Sequence, residues 1–183
     1  MKTIIVVVGH SGAGKSTFIK AMGLDDCVYV TSQPLINELR RCDSLINHDT
    51  IFALSQDWYR QRPDWQIEQI LTELGERNIL IVDGPRYADE IRQLRTMSNI
   101  HTIVIAVTST SEVRFERLKR RGKISLATSE EFTRLEQDEQ SMEIDELIAM
   151  ADFVILNGES GEKFIAKLQE EGRLIGLLLK KLF

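Results

Sequence analysis

The stretch Gly9-His10-Ser11-Gly12-Ala13-Gly14-Lys15-Ser16-Thr17 constrains this chain more than any other. It satisfies G-x-x-x-x-G-K-[ST] at every fixed position. It follows residues 4–8, an unbroken apolar and mostly β-branched run of the kind found in buried parallel strands. Residues 18–22 continue as a helix. Strand, glycine-rich turn and helix together make a phosphate-binding loop. Small residues let the backbone curl until its N–H groups converge on phosphate oxygens, and the helix N-terminus adds partial positive charge. Residues 9–17 are therefore expected to hold nucleotide phosphates, with Lys15 at the β- and γ-phosphates and the Ser16 hydroxyl on Mg²⁺.

The 183 residues suit one α/β domain spanning 1–183, and no linker or repeat divides them. The formal net charge of −5 argues against nucleic acid or an anionic membrane as the general partner. Cys27 and Cys42 form no C-x-x-C pair and are expected to be reduced structural thiols. The apolar start is too short for a signal peptide, and no run reaches membrane-spanning length, so the expected location is cytoplasmic.

Strand signals fall at residues 4–8, 28–31, 79–82, 101–107 and 153–156. Helical signals fall at 34–41, 45–60 (with Asp43 or Ser44 as cap), 65–77, 88–97, 111–121, 129–149 and 162–171, with a last apolar segment from Leu174. This alternation predicts a three-layer α/β fold, a five-stranded parallel sheet with helices on both faces. Ligands of such sheets bind at the carboxyl ends of the strands, where Gly9, Asp83 and Asn157 fall. The leucines near the C-terminus, with Phe183, predict a helix docked on the sheet or, if exposed, a homodimer surface.

Two further segments carry chemistry. Residues 79–83 form an apolar strand ending in Asp83, and a carboxylate beside a phosphate loop serves Mg²⁺ directly or through water. Asp83 opens the loop Asp83-Gly84-Pro85-Arg86, whose arginine can grip a second phosphate with its planar fork. Further on, Arg114, Arg117 and Arg121 recur at i, i+3 and i+7 on one helix face, and Arg134 follows beyond a loop. This pattern fits either a solvated basic face or an arginine-bearing lid over a triphosphate. Phosphoryl transfer favours the lid, because its transition state spreads charge over oxygens that cations stabilise.

These residues resemble the nucleoside monophosphate kinase branch of P-loop proteins. Asp83-Gly84-Pro85-Arg86 is a one-residue-shorter version of the adenylate kinase D-G-x-P-R loop, and Arg117 and Arg121 match its R-x-x-x-R lid entrance. The segment 83–157 is closer still to a group of archaeal nucleotide-kinase-like proteins that also resemble dephospho-CoA kinases. That group reads roughly D-G-x-R, R-F-E-R-L-x-x-R-G and A-D-x-x-x-x-N. Here those motifs stand as Asp83-Gly84-Pro85-Arg86, Arg114-Phe115-Glu116-Arg117-Leu118-Lys119-Arg120-Arg121-Gly122 and Ala151-Asp152-Phe153-Val154-Ile155-Leu156-Asn157. The resemblance covers most of the chain. It implies an ATP- and Mg²⁺-dependent kinase with a lid at about 117–135 and an acceptor-binding insertion at about 32–65. It places Arg117 near the adenine or phosphates of ATP, Arg121 and Arg134 at the transferring phosphoryl, and Asn157 beside the adenine.

Residues 31–36 depart from the adenylate kinase T-G-D-x-x-R, lacking its aspartate and acceptor-binding arginine. Arg40, Arg41 or the group Trp58, Tyr59, Arg60 and Arg62 are the candidate replacements. The expected acceptor is a small molecule carrying phosphate, a nucleoside or deoxynucleoside monophosphate. The alternatives are a hydroxyl acceptor as in dephospho-CoA kinase, and a P-loop ATPase or nucleotide-binding regulatory module with no acceptor. A hydroxyl acceptor calls for a general base, and no carboxylate follows the second strand. His48 and His101 stand isolated in the sequence.

Overall fold

Residues 4–8 of β1 (Lys2–Val8) are at most 1% exposed, because β1 is the middle strand of a sheet covered on both faces. The sheet runs β2 (Val28–Val30), β3 (Ile79–Asp83), β1, β4 (Ile100–Thr108) and β5 (Phe153–Leu156), with every pair parallel. The computed structural model describes residues 2–120, 128–158 and 162–182, without the side chains of 162–165, 168 and 178–182. Residues 121–127 of the expected lid at about 117–135, Arg121 among them, lie outside the described residues.

Alternation along the central strands builds two cores. Ile4, Val6, Val8, Leu80, Val82, Val104 and Ala106 face one way, against α4 (Trp65–Leu74), α5 (Ala88–Thr96) and α8 (Ile144–Ala149). Ile5, Val7, Ile81, Ile105 and Val107 face the other way and meet Phe18, Ile19 and Met22 of α1 (Lys15–Met22). Behind α1 lies the 21-residue α9 (Glu162–Leu182), and the approach is close. A Cβ on Gly176 would stand 2.2 Å from the Met22 carbonyl oxygen. The apolar C-terminal segment is thus part of a single helix docked on α1. Leu174 and Leu177 on the same helix remain 51% exposed.

Other helix boundaries also differ from the sequence expectation. The helix expected from about residue 45 is α3 (His48–Gln61), capped by Asn47 rather than Asp43 or Ser44. Asn47 Oδ1 accepts from the Thr50 N–H at 2.9 Å, and Thr50 Oγ1 accepts from the Asn47 N–H at 3.1 Å. This reciprocal box satisfies two donors that would otherwise be unpaired. The single helix expected over 129–149 is two, α7 (Ser129–Ser141) and α8, separated by Glu143 at φ 55°. The break serves two packing demands. Phe132 and Leu135 of α7 pack on Leu118 of α6 (Ser111–Arg120), while Ile144 and Leu147 of α8 reach the sheet core. The remaining helix, α2 (Gln33–Arg41), follows β2.

Candidate phosphate-binding site

Each conformational requirement of the loop after β1 is met by a glycine. Gly9 adopts φ +137°, and a Cβ there would stand 2.1 Å from the Val107 carbonyl oxygen of β4. Gly12, at φ +82°, has the backbone of Arg114 in α6 within 2.9 Å of its would-be Cβ. A side chain at either position would push the loop off the sheet end or off α6. The curl ends at α1, whose N-terminus begins at Lys15. Lys15 Nζ donates to the carbonyls of Gly9 at 2.5 Å and His10 at 3.3 Å, so the ammonium lies along the inner rim of the loop. Thr17 N donates to the Gly14 carbonyl at 3.0 Å, closing the first helical turn.

Asp83 ends β3 in register with Val7 of β1 and so stands beside the loop. Burial raises its carboxyl pKa above 3.8, and the Lys15 charge partly offsets this. Asp83 and Ser16 line one cavity of about 550 Å³ with Thr17, Lys20 and Asp25 among its other walls. A hydroxyl and a carboxylate facing one space form a hard oxygen donor set, which suits Mg²⁺. The loop after Asp83 is tied down by Thr31, whose hydroxyl donates to the Gly84 carbonyl and, at 3.2 Å, to that of Asp83.

Arg86 follows on this loop. Its Nη1 lies 2.9 Å from the Met142 sulfur, and its buried Nε makes no hydrogen bond among the described residues. Burial lowers the pKa of this guanidinium, against the opposing pull of Glu90, Tyr87 and Glu139. Glu90 spends its carboxylate on the backbone, accepting from the Arg86 N–H at 3.0 Å. Burial raises the Glu90 pKa from 4.5 to about 7.

The two described arginines of the basic helix face do different things. Arg114 is 4% exposed and bonds Glu136, the Ser11 carbonyl at 3.3 Å and Glu139 at 3.5 Å, with Phe132 under its guanidinium. Arg117 reaches the carbonyls of Gly12 at 3.2 Å and Ala13 at 3.4 Å, and also Asn157 Oδ1. Asn157 is 1% exposed, and its Nδ2 donates to the Ala13 carbonyl. Arg117 and Asn157 thus brace the loop from behind. Arg134 is an exposed residue of α7. Of the residues expected from sequence to hold an acceptor, Arg41 is paired with Glu38 at 2.6 Å and Arg40 is exposed. Trp58 and Arg62 do converge, lining a cavity of about 380 Å³ with Pro34, Gln61, Trp65 and Gln69. Tyr59 instead stacks on Tyr87 at 3.8 Å between ring centroids.

Sequence reasoning missed the acidic half of the site. His10 lies between Glu139 and Asp145, each at 3.0 Å, and Ser11 N donates to Glu139 at 2.6 Å. No local signal marks Glu139, since a glutamate on an amphipathic helix ordinarily faces water. His48, isolated in the sequence, sits 3.3 Å from Asp138 and 3.7 Å from Asp49, and the three ligand atoms lie within 4.8 Å of one another.

A parallel sheet with a glycine-rich loop between its central strand and α1, and an aspartate at the end of the neighbouring strand, defines a P-loop domain with the fold of small-molecule kinases. Shikimate kinase from Bacteroides thetaiotaomicron superposes with a TM-score of 0.53 at 18% identity, covering 97% of this chain and 98% of that one. A gluconokinase from Sinorhizobium meliloti 1021 superposes with a TM-score of 0.55 at 15% identity, covering 97% and 93%. No family model matches the chain. The chain belongs to the UPF0200 family: the UPF0200 protein of Sulfurisphaera tokodaii is 33% identical over 169 residues, covering 91% of this chain and 94% of that protein. No helix among the described residues is long and apolar enough to cross a membrane.

Proposed function

We propose that this protein is a kinase that transfers the γ-phosphoryl group of ATP·Mg²⁺ to a small acceptor carrying a phosphate, a nucleoside or deoxynucleoside monophosphate. One observation carries the reading: Arg86, on the loop that Asp83 opens, has the Met142 sulfur as its one hydrogen-bonding side-chain partner among the described residues and leaves a buried Nε unbonded, although Glu90 and Glu139 lie near enough to act on its charge. Burying a cation with an unfilled donor is costly, and an anion that completes its hydrogen bonds offsets the cost. The acceptor's phosphate is that anion.

In this reading the loop amides of residues 9–14 and Lys15 hold the donor phosphates, while Ser16 and Asp83 hold Mg²⁺. The metal would neutralise charge on the bridging phosphate oxygens. Arg121 and Arg134 serve the transferring phosphoryl group from the lid, while Arg117 and Asn157 act on the donor side by fixing the loop that holds its phosphates. The Trp58–Trp65 cavity accommodates the acceptor's planar base, and its volume lies within the usual range for small-ligand pockets. A phosphate acceptor brings its own nucleophilic oxygen, so no general base is required.

The test is ADP formation from ATP·Mg²⁺ with a panel of acceptors: ribonucleoside and deoxyribonucleoside monophosphates, dephospho-CoA, shikimate and gluconate. ADP release with one or more monophosphates, and a phosphorylated product by mass, supports the proposal. Turnover with a hydroxyl acceptor alone moves the protein to the hydroxyl-kinase class. ADP release independent of every acceptor makes it an ATPase.

A further inference from the structure

The carboxylate of Glu139 already occupies part of the phosphate loop. Its Oε1 accepts from the Ser11 N–H at 2.6 Å, and its Oε2 stands 3.0 Å from His10 Nδ1 and 3.5 Å from Arg114 Nη1. The side chain is only 5% exposed. A carboxylate held by a loop N–H and two basic side chains is bound as an anion in an anion site. A phosphate oxygen in the same loop would require the same donors. Burial raises the Glu139 pKa, but the bonds from His10 and Ser11 outweigh it and hold the group at about 2, so the charge persists at neutral pH. The groups facing His10 are Glu139 from α7, Asp145 from α8 and Arg114 from α6.

Glu139 belongs to a short segment that touches three parts of the site. Asp138 pairs with His48 at the start of α3, the Met142 sulfur receives Arg86, and Glu143 accepts from the Ala88 N–H at 3.0 Å. The turn 138–145 therefore touches the donor loop, the Arg86 loop and the acceptor-side helix α3 at once.

We propose that Glu139 is an internal anion bound at the outer end of the phosphate loop, and that the terminal phosphate of an incoming nucleoside triphosphate evicts it. The inference rests on the nucleotide-binding reading above. Eviction frees His10 Nδ1 and the Ser11 N–H for the phosphate, leaves Arg114 on Glu136 beside them, and shifts the 138–145 segment away from Arg86 and His48. Triphosphate binding would thereby open the acceptor side, and a diphosphate, one phosphate shorter, would leave Glu139 in place. Coupling of this kind is reciprocal, so an acceptor bound at Arg86 would also weaken the hold of Glu139 on the loop.

The experiment is calorimetric titration of the full chain with Mg²⁺ and either a non-hydrolysable ATP analogue or ADP. Glu139→Gln keeps the volume and an acceptor oxygen for Ser11 but removes the charge. It should bind the triphosphate roughly tenfold more tightly, within the usual range of coupling between sites, and change ADP binding much less. Glu76→Gln removes an exposed negative charge just after α4, outside the site, and should leave the triphosphate-to-ADP ratio within about twofold. Unchanged or weaker triphosphate binding by a folded Glu139→Gln, or an equal effect of Glu76→Gln, overturns the proposal. Hydrogen exchange on the unmodified protein supplies a readout that needs no variant. The triphosphate, and not ADP, should speed exchange across residues 138–145, and no such difference sinks the idea. Absence of any nucleotide binding would instead remove the kinase reading, and this inference with it.

Discussion

Asn157 donates from Nδ2 to the carbonyl of Ala13, 144 residues earlier in the chain, and so ties the end of β5 to the phosphate loop. The same amide accepts from Arg117, so both of its polar atoms are spent inside the protein. Asn157→Ala should therefore lower stability by about 1–3 kcal/mol, the cost of leaving a buried acceptor unpaired. It should also weaken nucleotide binding through a looser loop. Asn157→Asp should be worse, since a carboxylate there faces the Ala13 carbonyl. Denaturant midpoints of the two variants rank the effects, and equal midpoints with the parent protein count against the brace.

On the proposed reading, Lys15 serves the donor and Arg86 the acceptor. Removing an electrostatic stabiliser of this kind costs roughly 10²–10³ in kcat, so Lys15→Ala should reduce turnover by at least that and weaken triphosphate binding. Arg86→Ala should raise the acceptor KM most and change ATP affinity little. Steady-state kinetics with each substrate varied in turn provide the check, and equal losses for both substrates with Arg86→Ala remove it from the acceptor role.

The docking of α9 on α1 hangs on Gly176. Gly176→Val places atoms where the Met22 carbonyl stands, and overpacking of this kind costs typically about 1–3 kcal/mol. The expected result is a lower thermal midpoint with earlier proteolysis within 162–182. A variant as resistant as the parent would mean that α9 does not need this close approach.

Three titrating groups, Glu90 and Glu139 buried and His10 half-buried, give the fold a pH profile. Glu139 holds His10 above its ordinary 6.5, against the effect of burial, so that contribution is complete below 6.5 and fades as pH rises through the folded value. Burial raises Glu90 to about 7, so its contribution is complete below 4.5 and is also lost as pH rises through 7. Glu139, held at about 2, contributes above 4.5 and is lost as pH falls toward 2. With respect to these groups stability should peak near pH 4.5, fall below it through Glu139, and fall above it, first through Glu90 up to about pH 7 and then above 6.5 through His10 as well. Urea midpoints from pH 4 to pH 9 test this. His10→Gln and Glu90→Gln should each flatten part of the alkaline decline, and a flat parent profile would contradict the assignment.

How much was legible in advance follows the range of the forces involved. The loop 9–17, the five strands and the placement of Asp83 and Arg86 after the third strand are local: a glycine pattern, apolar runs and residues adjacent in the chain. Helix boundaries were less legible. The break at Glu143 is set by the sheet core drawing Ile144 and Leu147 inward while Phe132 and Leu135 pack on α6, a conflict that no window along α7 contains. The basic stripe announced itself by spacing, yet the partners of Arg114 lie 22 and 25 residues away, on the next helix.

The sequence by itself determined a phosphate cradle on a parallel sheet, because backbone curl, strand burial and the order of the motifs depend on neighbours in the chain. Only the tertiary structure decided which charges meet. It brought Glu139 and Asp145 to His10, laid Met142 against Arg86 and turned Asn157 into a brace for Ala13. Such pairings depend on how separate helices pack, and an acidic residue that will be buried against a loop looks, in sequence, the same as one that will face water.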